Sequence, residues 1–434
     1  MPAYCRESRF SCLLIAGLLV RGNIKFPGQD DEPRLTCRIS LYCHMSAMIY
    51  LDNSATTRVR DEVIEAMSPY LTEKFGNPSS IHKLGRLSRQ AVDAARQQVA
   101  ALINASPEEI YFAPCGTYSN NVAIAGRARF VEANGLGRHL ITCLIEHASS
   151  LGPARALEAR GWRITYLQVD AQGFVDAEEL RAAITPETSI VSLMWANNEV
   201  GTVLPVEDLS AVAKERGVFF HTDAIQVAGK LPIDVTAVPV DTLSLSGHKF
   251  YAPKGIGALY VRKGVNLMPI VFGGGQEMSL FPGTEGLTNI VGIGKAAELA
   301  RLEQDSSRQG LTSMQKILID KLTAVDGVRL TGASDLSRRL PGHVSLVVEG
   351  AVGEELVEKA DAQGVCISSV SACSQSGGDP SHVLSAIGLP KEAVLGSARL
   401  TAGRFNSEQE CLKAADILSE IVSAQKSRKV LRQR

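Results

Sequence analysis

The sequence lacks several features that mark broad classes of protein. Its 45 Lys and Arg residues nearly match its 46 Asp and Glu residues, so no excess of charge draws the chain to nucleic acid or to an anionic membrane. No two of its nine cysteines are spaced as C-x-x-C, so no zinc site is indicated, and the odd number disfavours a complete disulfide framework. These absences favour a reducing, cytoplasmic location, with no metal, no membrane and no direct nucleic-acid partner.

The sequence also has no long apolar run near its start. The run Cys12–Val20 is far shorter than the roughly 20 residues that a membrane-spanning helix needs. No convincing small-x-small cleavage site follows it, which disfavours a signal peptide. Residues 1–44 are therefore interpreted as a dispensable N-terminal extension, with translation starting at Met45 or Met48.

From Ile49 onwards, short apolar runs alternate with stretches of helical periodicity. This alternation predicts an α/β fold with a mostly parallel sheet covered on both faces, whose ligands bind at the carboxyl ends of the strands. The predicted strands are Ile110–Phe112, His139–Ile145, Ile190–Trp195, Val218–His221, Thr242–Leu245 and Ala258–Val261. The predicted helices are Asn120–Phe130, Ser149–Arg160, Ala177–Ile184 and Val206–Arg216.

The second part of the chain carries a different pattern. A helical stretch over Ile293–Ser306 precedes another over Leu311–Val325. Shorter strand-like and helix-like segments then follow to the end of the chain. We place a domain boundary near Ser306, with a large domain over 63–306 and a smaller α+β domain formed by 45–62 and 307–434.

Two charged residues follow predicted strands. Lys249 ends the segment Ser246–Lys249, and an aldehyde cofactor needs such an amine to hold it as a Schiff base. Asp223 ends the preceding strand, and a pyridinium cofactor needs a carboxylate against its ring nitrogen. Gln226 is predicted to lie near Asp223 at the start of a helix. Alone, each has a simpler reading, because a lysine is usually a surface cation and an acid is often a helix cap.

Other polar residues follow predicted strands as well. His147 and Asn198 each come at a strand end, although a lone histidine is most often structural. The segment Cys115–Asn121, with Gly116 and Thr117, offers a glycine, hydroxyls and a helix N-terminus, which together can cradle a phosphate. Ordinary helix caps look the same, so this signal is weak by itself.

A single cysteine lies at the centre of a loop of small residues, Ser368–Pro380. Most free cysteines are buried and behave as small apolar side chains. Cys373 has serines and glycines around it, so an exposed and reactive thiol is plausible.

These segments together resemble the cysteine desulfurases, within the class-V aminotransferase group of fold-type-I pyridoxal-phosphate enzymes. The resemblance runs from about Ile49 to Ile421 and implies a seven-stranded, mostly parallel sheet and pyridoxal 5'-phosphate as cofactor. The stretches that carry it are Tyr50–Thr57, Gly76–Ser80, Glu146-His147, Asn197–Glu199, His221–Gln226 and Ser246–Lys249.

The resemblance implies a role for each matching residue around the cofactor ring. Lys249 would hold the cofactor as a Schiff base and move the proton at Cα, and Asp223 would pair with the pyridine nitrogen. Gln226 and Asn198 would hold the phenolic oxygen. His147 would stack on the ring.

The resemblance also implies a phosphate site and a dimer. Gly116, Thr117, Ser246 and His248 would bind the phosphate. Thr284 matches a residue that family members extend into the partner subunit, which implies a homodimer.

The implied reaction takes sulfur from L-cysteine and leaves L-alanine. Arg399 would clamp the substrate carboxylate, with Asn198 beside it, and Cys373 would receive the sulfur as a persulfide. The long loop resembles the subgroup that passes sulfur to acceptor proteins, such as an iron–sulfur scaffold or a tRNA-thiolation protein.

Some residues depart from the family pattern. Pro114, Cys115 and Tyr118 interrupt the usual phosphate cradle, and Met278 and Phe281 stand where two arginines are usual. These departures leave open a weakened, desulfurase-like partner protein, although Lys249, Asp223, His147, Cys373 and Arg399 are all present.

Two further residues leave open a related activity. Val370 and Pro282 are similar to residues of selenocysteine lyases, which share the fold and the cofactor. The intact Ser-x-Ser-Ala-Cys sequence ending at Cys373 favours cysteine as the substrate.

Overall fold

The computed structural model describes residues 48–369 and 380–432. Its strands are β1 Ile49–Tyr50, β2 Ile110–Ala113, β3 His139–Cys143, β4 Arg163–Leu167, β5 Thr188–Ser192, β6 Phe219–Asp223, β7 Thr242–Ser246, β8 Gly257–Val261, β9 Val328–Leu330, β10 His343–Val348, β11 Val365–Cys366 and β12 Ser397–Thr401. Its α-helices are α1 Asp61–Met67, α2 Pro69–Thr72, α3 Lys83–Leu102, α4 Gly116–Ala133, α5 Ala148–Glu158, α6 Ala177–Ala183, α7 Val206–Glu215, α8 Leu287–Leu302, α9 Gln304–Thr323, α10 Gly353–Asp361, α11 His382–Ala386, α12 Lys391–Leu395 and α13 Glu408–Arg432.

Seven strands form the central sheet in the order β2-β8-β7-β6-β5-β3-β4. The pairs β4–β3, β3–β5, β5–β6 and β6–β7 are parallel, and only the two pairs that include β8 are antiparallel. The predicted α/β fold with a mostly parallel seven-stranded sheet flanked by helices is therefore confirmed. Strands β5 to β8 are buried almost throughout, as the apolar runs in the sequence predicted.

Strand β4 was not predicted, and its position explains why. It lies at the edge of the sheet and pairs only with β3. Four of its five residues are partly or fully exposed, with only Leu167 buried. An edge strand of this kind needs no continuous apolar run, so its sequence gave little signal.

The strands of the C-terminal part of the chain form two smaller sheets, one of which also includes β1. Strands β12, β10 and β9 form an antiparallel sheet, and β1 pairs with β11 in parallel. Bridges from Asp52 to Thr401 and from Ser368 to Arg399 connect these two sheets. A second apolar core fills the space between them and helices α9, α10 and α13, and it includes Leu51.

The helical stretch predicted over Ile293–Ser306 is in fact two helices, α8 and α9, which meet at Glu303. The carboxylate of Glu303 forms ion pairs with Arg60 and Arg404 at this junction. The predicted domain boundary at Ser306 falls inside α9, so the division into a large and a small domain stays a prediction. No helix within the described ranges is long and apolar enough to cross a membrane.

Candidate active site

Lys249 lies just past the carboxyl end of β7, on a short 3-10 turn over Gly247–Lys249. Its Nζ donates hydrogen bonds to the carbonyl oxygens of Ser54, at 2.6 Å, and Ala55, at 2.7 Å. The same N-terminal segment supports the turn, because the Thr57 amide and hydroxyl both donate to the carbonyl of His248. The segment 54–57, far away in sequence, therefore fixes the position of the lysine.

Asp223 ends β6, the strand next to β7, and is only 6% exposed. Its carboxylate accepts hydrogen bonds from Asn120 Nδ2, at 2.7 Å, and from the amide of Ile225, at 2.9 Å. Both donors are neutral, and none of the ion pairs in the described residues involves Asp223. A buried carboxylate without a counter-ion is costly, so this position suits a cationic ligand atom.

The residues after Asp223 differ from the prediction. Residues 225–230 form hydrogen-bonded turns, not the start of a helix. Gln226 nevertheless lies in the site, where its Nε2 donates to the carbonyl of Ser54 at 3.0 Å. Nζ of Lys230 donates to the carbonyl of Gln226 at 2.9 Å. Burial first, and then the charge of Lys249, lower the pKa of Lys230 to about 7.

His147 comes before α5 and caps that helix. Its Nδ1 lies 3.1 Å from the Ser149 amide, which donates to it, and 2.7 Å from the Ser149 hydroxyl. His147 itself is exposed to solvent. The protein atoms around it nevertheless lower the pKa of the imidazole below its usual value, chiefly by desolvation, while the charge of Asp223 acts in the opposite direction.

Helix α4 begins at Gly116, four residues before the predicted start at Asn120. Cys115 is the N-cap residue and its side chain accepts no hydrogen bond from the helix. The first backbone N–H groups of α4 therefore have no partner within the helix, as an anion site requires. Gly116 packs so closely on the turn after β6 and on the end of β7 that an added Cβ would lie 2.3 Å from Ile225 Cδ1 and 3.1 Å from Ser246 Cβ.

Two of the other predicted phosphate ligands, Thr117 and Ser246, lie at this helix start. Thr117 is exposed in the first turn, and Ser246 ends β7. His248 Nδ1 lies 3.1 Å from the Thr56 hydroxyl. Burial, followed by the charges of Lys249 and two other lysines, lowers the pKa of His248 to about 4. The positive charges of the lysines disfavour a further positive charge on His248. A bound phosphate dianion would offset these charges.

Arg399 lies on β12 and is 2% exposed. Its Nη2 donates to Asp52 Oδ1 at 2.9 Å, and its Nη1 donates to the carbonyl of Asn198 at 3.1 Å. Its Nε is buried and has no hydrogen-bond partner among residues 48–369 and 380–432. The second of these contacts brings the predicted carboxylate clamp to Asn198, and the side-chain amide of Asn198 makes no hydrogen bond within the described ranges.

Thr284 and the departures from the family pattern lie elsewhere. Thr284 is exposed and lines a cavity of about 310 Å³ that also contains Pro114, Tyr118 and Phe281. Met278 is 70% exposed, whereas Phe281 is 8% exposed and packs in an apolar cluster. None of the described contacts joins Thr284 to Lys249. The side chain of Phe281 is part of the apolar cluster.

Cys373 and Val370 lie outside the described residues. Ser381 and His382, just after this segment, contact Glu199 and Glu146, which are next to Asn198 and His147 in the sequence. The Ser381 hydroxyl donates to the buried carboxylate of Glu199, and His382 Nε2 lies 3.0 Å from the carbonyl of Glu146.

Three buried residues of the site were not predicted from the sequence. Asn120 joins Asp223 to Ser149, and His221 Nε2 lies 3.1 Å from Asn120 Oδ1. A signal for His221 was present, because it precedes Asp223 by two residues on a strand and shares its face. Nothing in the sequence singled out Asn120 or Ser149 from other helix-start residues.

Comparison with known proteins places the chain in a family. A family model described as aminotransferase class-V matches residues 49–412. Cysteine desulfurase IscS of Dictyoglomus turgidum is 45% identical over 379 residues, covering 87% of this chain and 95% of that protein. A solved NifS-like protein has a TM-score of 0.81 at 35% identity, covering 87% of this chain and 99% of the other. A structure of SspA in complex with cysteine has a TM-score of 0.72 at 36% identity, covering 82% and 99%.

The chain thus belongs to the class-V aminotransferases and has their fold. Within that family, the chain belongs to the cysteine desulfurases. Enzymes of this family use pyridoxal phosphate, and the residues present here fit that cofactor. Among the described residues, Asp223 forms no ion pair, Lys249 offers an amine, and the start of α4 offers backbone amides that its N-cap side chain does not bind.

Proposed function

We propose that this chain converts L-cysteine to L-alanine and transfers the sulfur to Cys373 as a persulfide. The observation that carries this proposal is that one short segment, 52–55, contacts both the amine of Lys249 and the guanidinium of Arg399. Gln226, three residues after the buried carboxylate of Asp223, donates to the same segment. Family membership supports the same activity.

Each residue beside the cofactor ring has a task of its own. Pyridoxal phosphate, when bound, supplies an aldehyde that joins amines and a ring that accepts electrons from Cα. Lys249 would hold the aldehyde, release it to the substrate amine, and then move the proton at Cα. Asp223 would keep the ring nitrogen protonated. Gln226 and Asn198 would donate to the phenolic oxygen, and His147 would stack on the ring and exchange protons.

The phosphate would bind at the start of α4. The backbone amides of Gly116 and Thr117 and the hydroxyls of Thr117 and Ser246 would donate to it, with His248 beside them. Thr284 is exposed and would reach the site of a second copy, so we propose that the enzyme acts as a homodimer.

The sulfur step requires a thiolate and a fixed substrate. Arg399 would hold the substrate carboxylate through its Nε and one Nη, with Asn198 beside it. The Cys373 thiolate would attack the substrate sulfur and form an S–S bond as the C–S bond breaks. The electron pair of the C–S bond passes to Cβ, which takes a proton and becomes the methyl group of alanine. The thiol of Cys373 is thereby oxidised to a persulfide, and the substrate carbon is reduced.

We further propose that a cytoplasmic acceptor protein, such as an iron–sulfur scaffold or a tRNA-thiolation protein, collects the persulfide sulfur. The proposed small domain, formed by 45–62 and 307–434, would carry the Cys373 loop. The large domain, 63–306, would carry the cofactor. The bridge between Ser368 and Arg399 is consistent with a loop that starts beside the substrate clamp.

An absorbance spectrum between about 300 and 500 nm, before and after addition of L-cysteine, tests the proposal when alanine and sulfide are assayed in parallel. We expect a yellow protein whose band shifts as alanine forms. Lys249→Ala should abolish alanine formation. The matched control Lys254→Ala changes an exposed lysine five residues further on and should retain it.

The thiol assignment needs a separate variant. Cys373→Ser should keep the spectral response to cysteine but form no alanine, because the sulfur has no acceptor. Alanine formation by Cys373→Ser at the wild-type rate would refute the role of Cys373. Turnover of selenocysteine by that variant would instead favour a selenocysteine lyase. A colourless wild-type protein that stays inert with added pyridoxal phosphate would favour the weakened partner protein.

A further inference from the structure

A buried asparagine lies between the two residues that face the cofactor ring. The side-chain amide of Asn120, fully buried in α4, has one contact to Asp223 and another to Ser149. Ser149 in turn contacts His147 Nδ1. We propose that Asn120 is a positioning residue that fixes both Asp223 and His147, an inference that rests on the cofactor site proposed above.

Chemistry fixes the direction of the first hydrogen bonds. An ionised carboxylate only accepts, so the amide nitrogen of Asn120, not its oxygen, must face Asp223, at 2.7 Å. The second hydrogen of the same NH2 group then donates to the Ser149 hydroxyl oxygen at 2.8 Å. Both donors of the amide are therefore used.

The remaining atoms of the network follow in turn. Because the amide oxygen of Asn120 faces His221 Nε2 at 3.1 Å, that nitrogen must carry a proton. Burial lowers the pKa of His221 to about 3, so the ring is neutral and its Nδ1 accepts from the Thr242 hydroxyl at 2.9 Å. Thr242 and His221 are both fully buried, so this side of the network holds the orientation of Asn120 without help from solvent.

The branch through Ser149 fixes the tautomer of His147. The Ser149 hydroxyl accepts from Asn120, which leaves its own hydrogen to donate to His147 Nδ1 at 2.7 Å. The Ser149 amide donates to the same nitrogen at 3.1 Å. His147 Nδ1 is thus an acceptor, and the proton of the neutral ring lies on Nε2. The Asn120 amide therefore orients Asp223 directly, and through the Ser149 hydroxyl it acts together with the Ser149 backbone amide on His147 Nδ1.

A purely structural network would stabilise the fold without affecting either group. The test therefore measures two properties that packing alone would not change. One is the dissociation constant of pyridoxal phosphate. The other is the ¹⁵N signal of His147 Nδ1 in the cofactor-loaded protein, assigned with His147→Gln.

Asn120→Ala should change both properties. We expect the dissociation constant of pyridoxal phosphate to rise about tenfold or more, because the charged Asp223 loses one of two donors. The Nδ1 signal of His147 should also shift. The matched control Asn134→Ala removes an exposed amide at the other end of α4, which donates to the Phe130 carbonyl, and should leave both properties at wild-type values.

Ser149→Ala separates the two branches. It should shift the Nδ1 signal of His147 yet leave the cofactor dissociation constant within about twofold, since Asn120 still donates to Asp223. Wild-type values of both properties in Asn120→Ala would overturn the proposal. If circular dichroism shows that Asn120→Ala does not fold, an unshifted His147 signal in Ser149→Ala overturns it instead.

Neither readout requires turnover. A wild-type protein that binds pyridoxal phosphate but forms no alanine from cysteine would therefore contradict the proposed function alone. The network could still be tested in that protein.

Discussion

Glu146 allows a quantitative test of how strongly burial controls charge beside the active site. It precedes His147 and is fully buried, and its Oε1 accepts from the amide of Met194. Burial, followed by the negative charge of Asp223, raises the pKa of Glu146 from 4.5 to about 8. The carboxyl group is therefore neutral in the folded protein at physiological pH, whereas it is ionised in the unfolded chain.

The sign of the pH dependence follows from this difference. The folded state retains the proton that the unfolded state releases, so the stabilisation is complete below about pH 4.5 and is lost as the pH rises through about 8. At about 1.4 kcal/mol per pKa unit, the upper limit of this loss of stability is roughly 5 kcal/mol. Because the protein relaxes around the charge, we expect a loss between roughly 2 kcal/mol and this limit. Glu146→Gln keeps an oxygen for the Met194 amide and cannot ionise.

Urea unfolding of the cofactor-free protein measures the effect, at one protein concentration and at several values between pH 5 and 8.5. The free energy of unfolding of Glu146→Gln, relative to wild type, should rise by roughly 2–5 kcal/mol over this range. The control Glu158→Gln makes the same change at an exposed position and should track wild type. If the free energies of unfolding of Glu146→Gln and wild type change with pH in the same way, burial does not keep this carboxyl neutral.

Three further substitutions test other parts of the structure. Arg399→Lys removes the planar guanidinium and should raise the KM for cysteine about 100-fold with a smaller change in kcat, measured by steady-state kinetics; an unchanged KM would contradict the clamp. Phe281→Arg restores the residue usual in the family but buries a charge in an apolar cluster, and should lower the unfolding free energy by about 3 kcal/mol or more, measured by urea unfolding. Gly201→Ala should cost about 2 kcal/mol or more in the same assay, because φ is +78° and the added Cβ would lie 2.5 Å from His343 Nδ1; wild-type stability would contradict either expectation.

Much of the fold was predictable because its signals are local. Runs such as Thr242–Leu245 are apolar throughout, which is what a strand covered on both faces requires. The edge strand β4 escaped detection because partial exposure relaxes this requirement. The turns after Asp223 were mistaken for a helix start, since spacing alone does not distinguish the two.

The candidate site was predictable only in part. Lys249 and Asp223 stood out because polar residues at the ends of buried strands are exposed to ligands at one edge of the sheet. Asn120 did not stand out, because its role depends on partners from β6 and α5 that are far away in sequence. Phe281 was read as a lost cation, whereas the structure places it in an apolar cluster.

The sequence by itself determined the alternation of strands and helices and the residues with which the strands end. This is because the periodicity of apolar residues depends on only a few neighbouring positions. Only the tertiary structure decided which of those ends meet. Arg399 and Asp52 form an ion pair although 347 residues separate them, and Lys249 is held by the carbonyl of Ser54 from the start of the described chain. Such contacts depend on the order of strands in the sheets and on the packing of the apolar clusters between them and the helices, which no local pattern encodes.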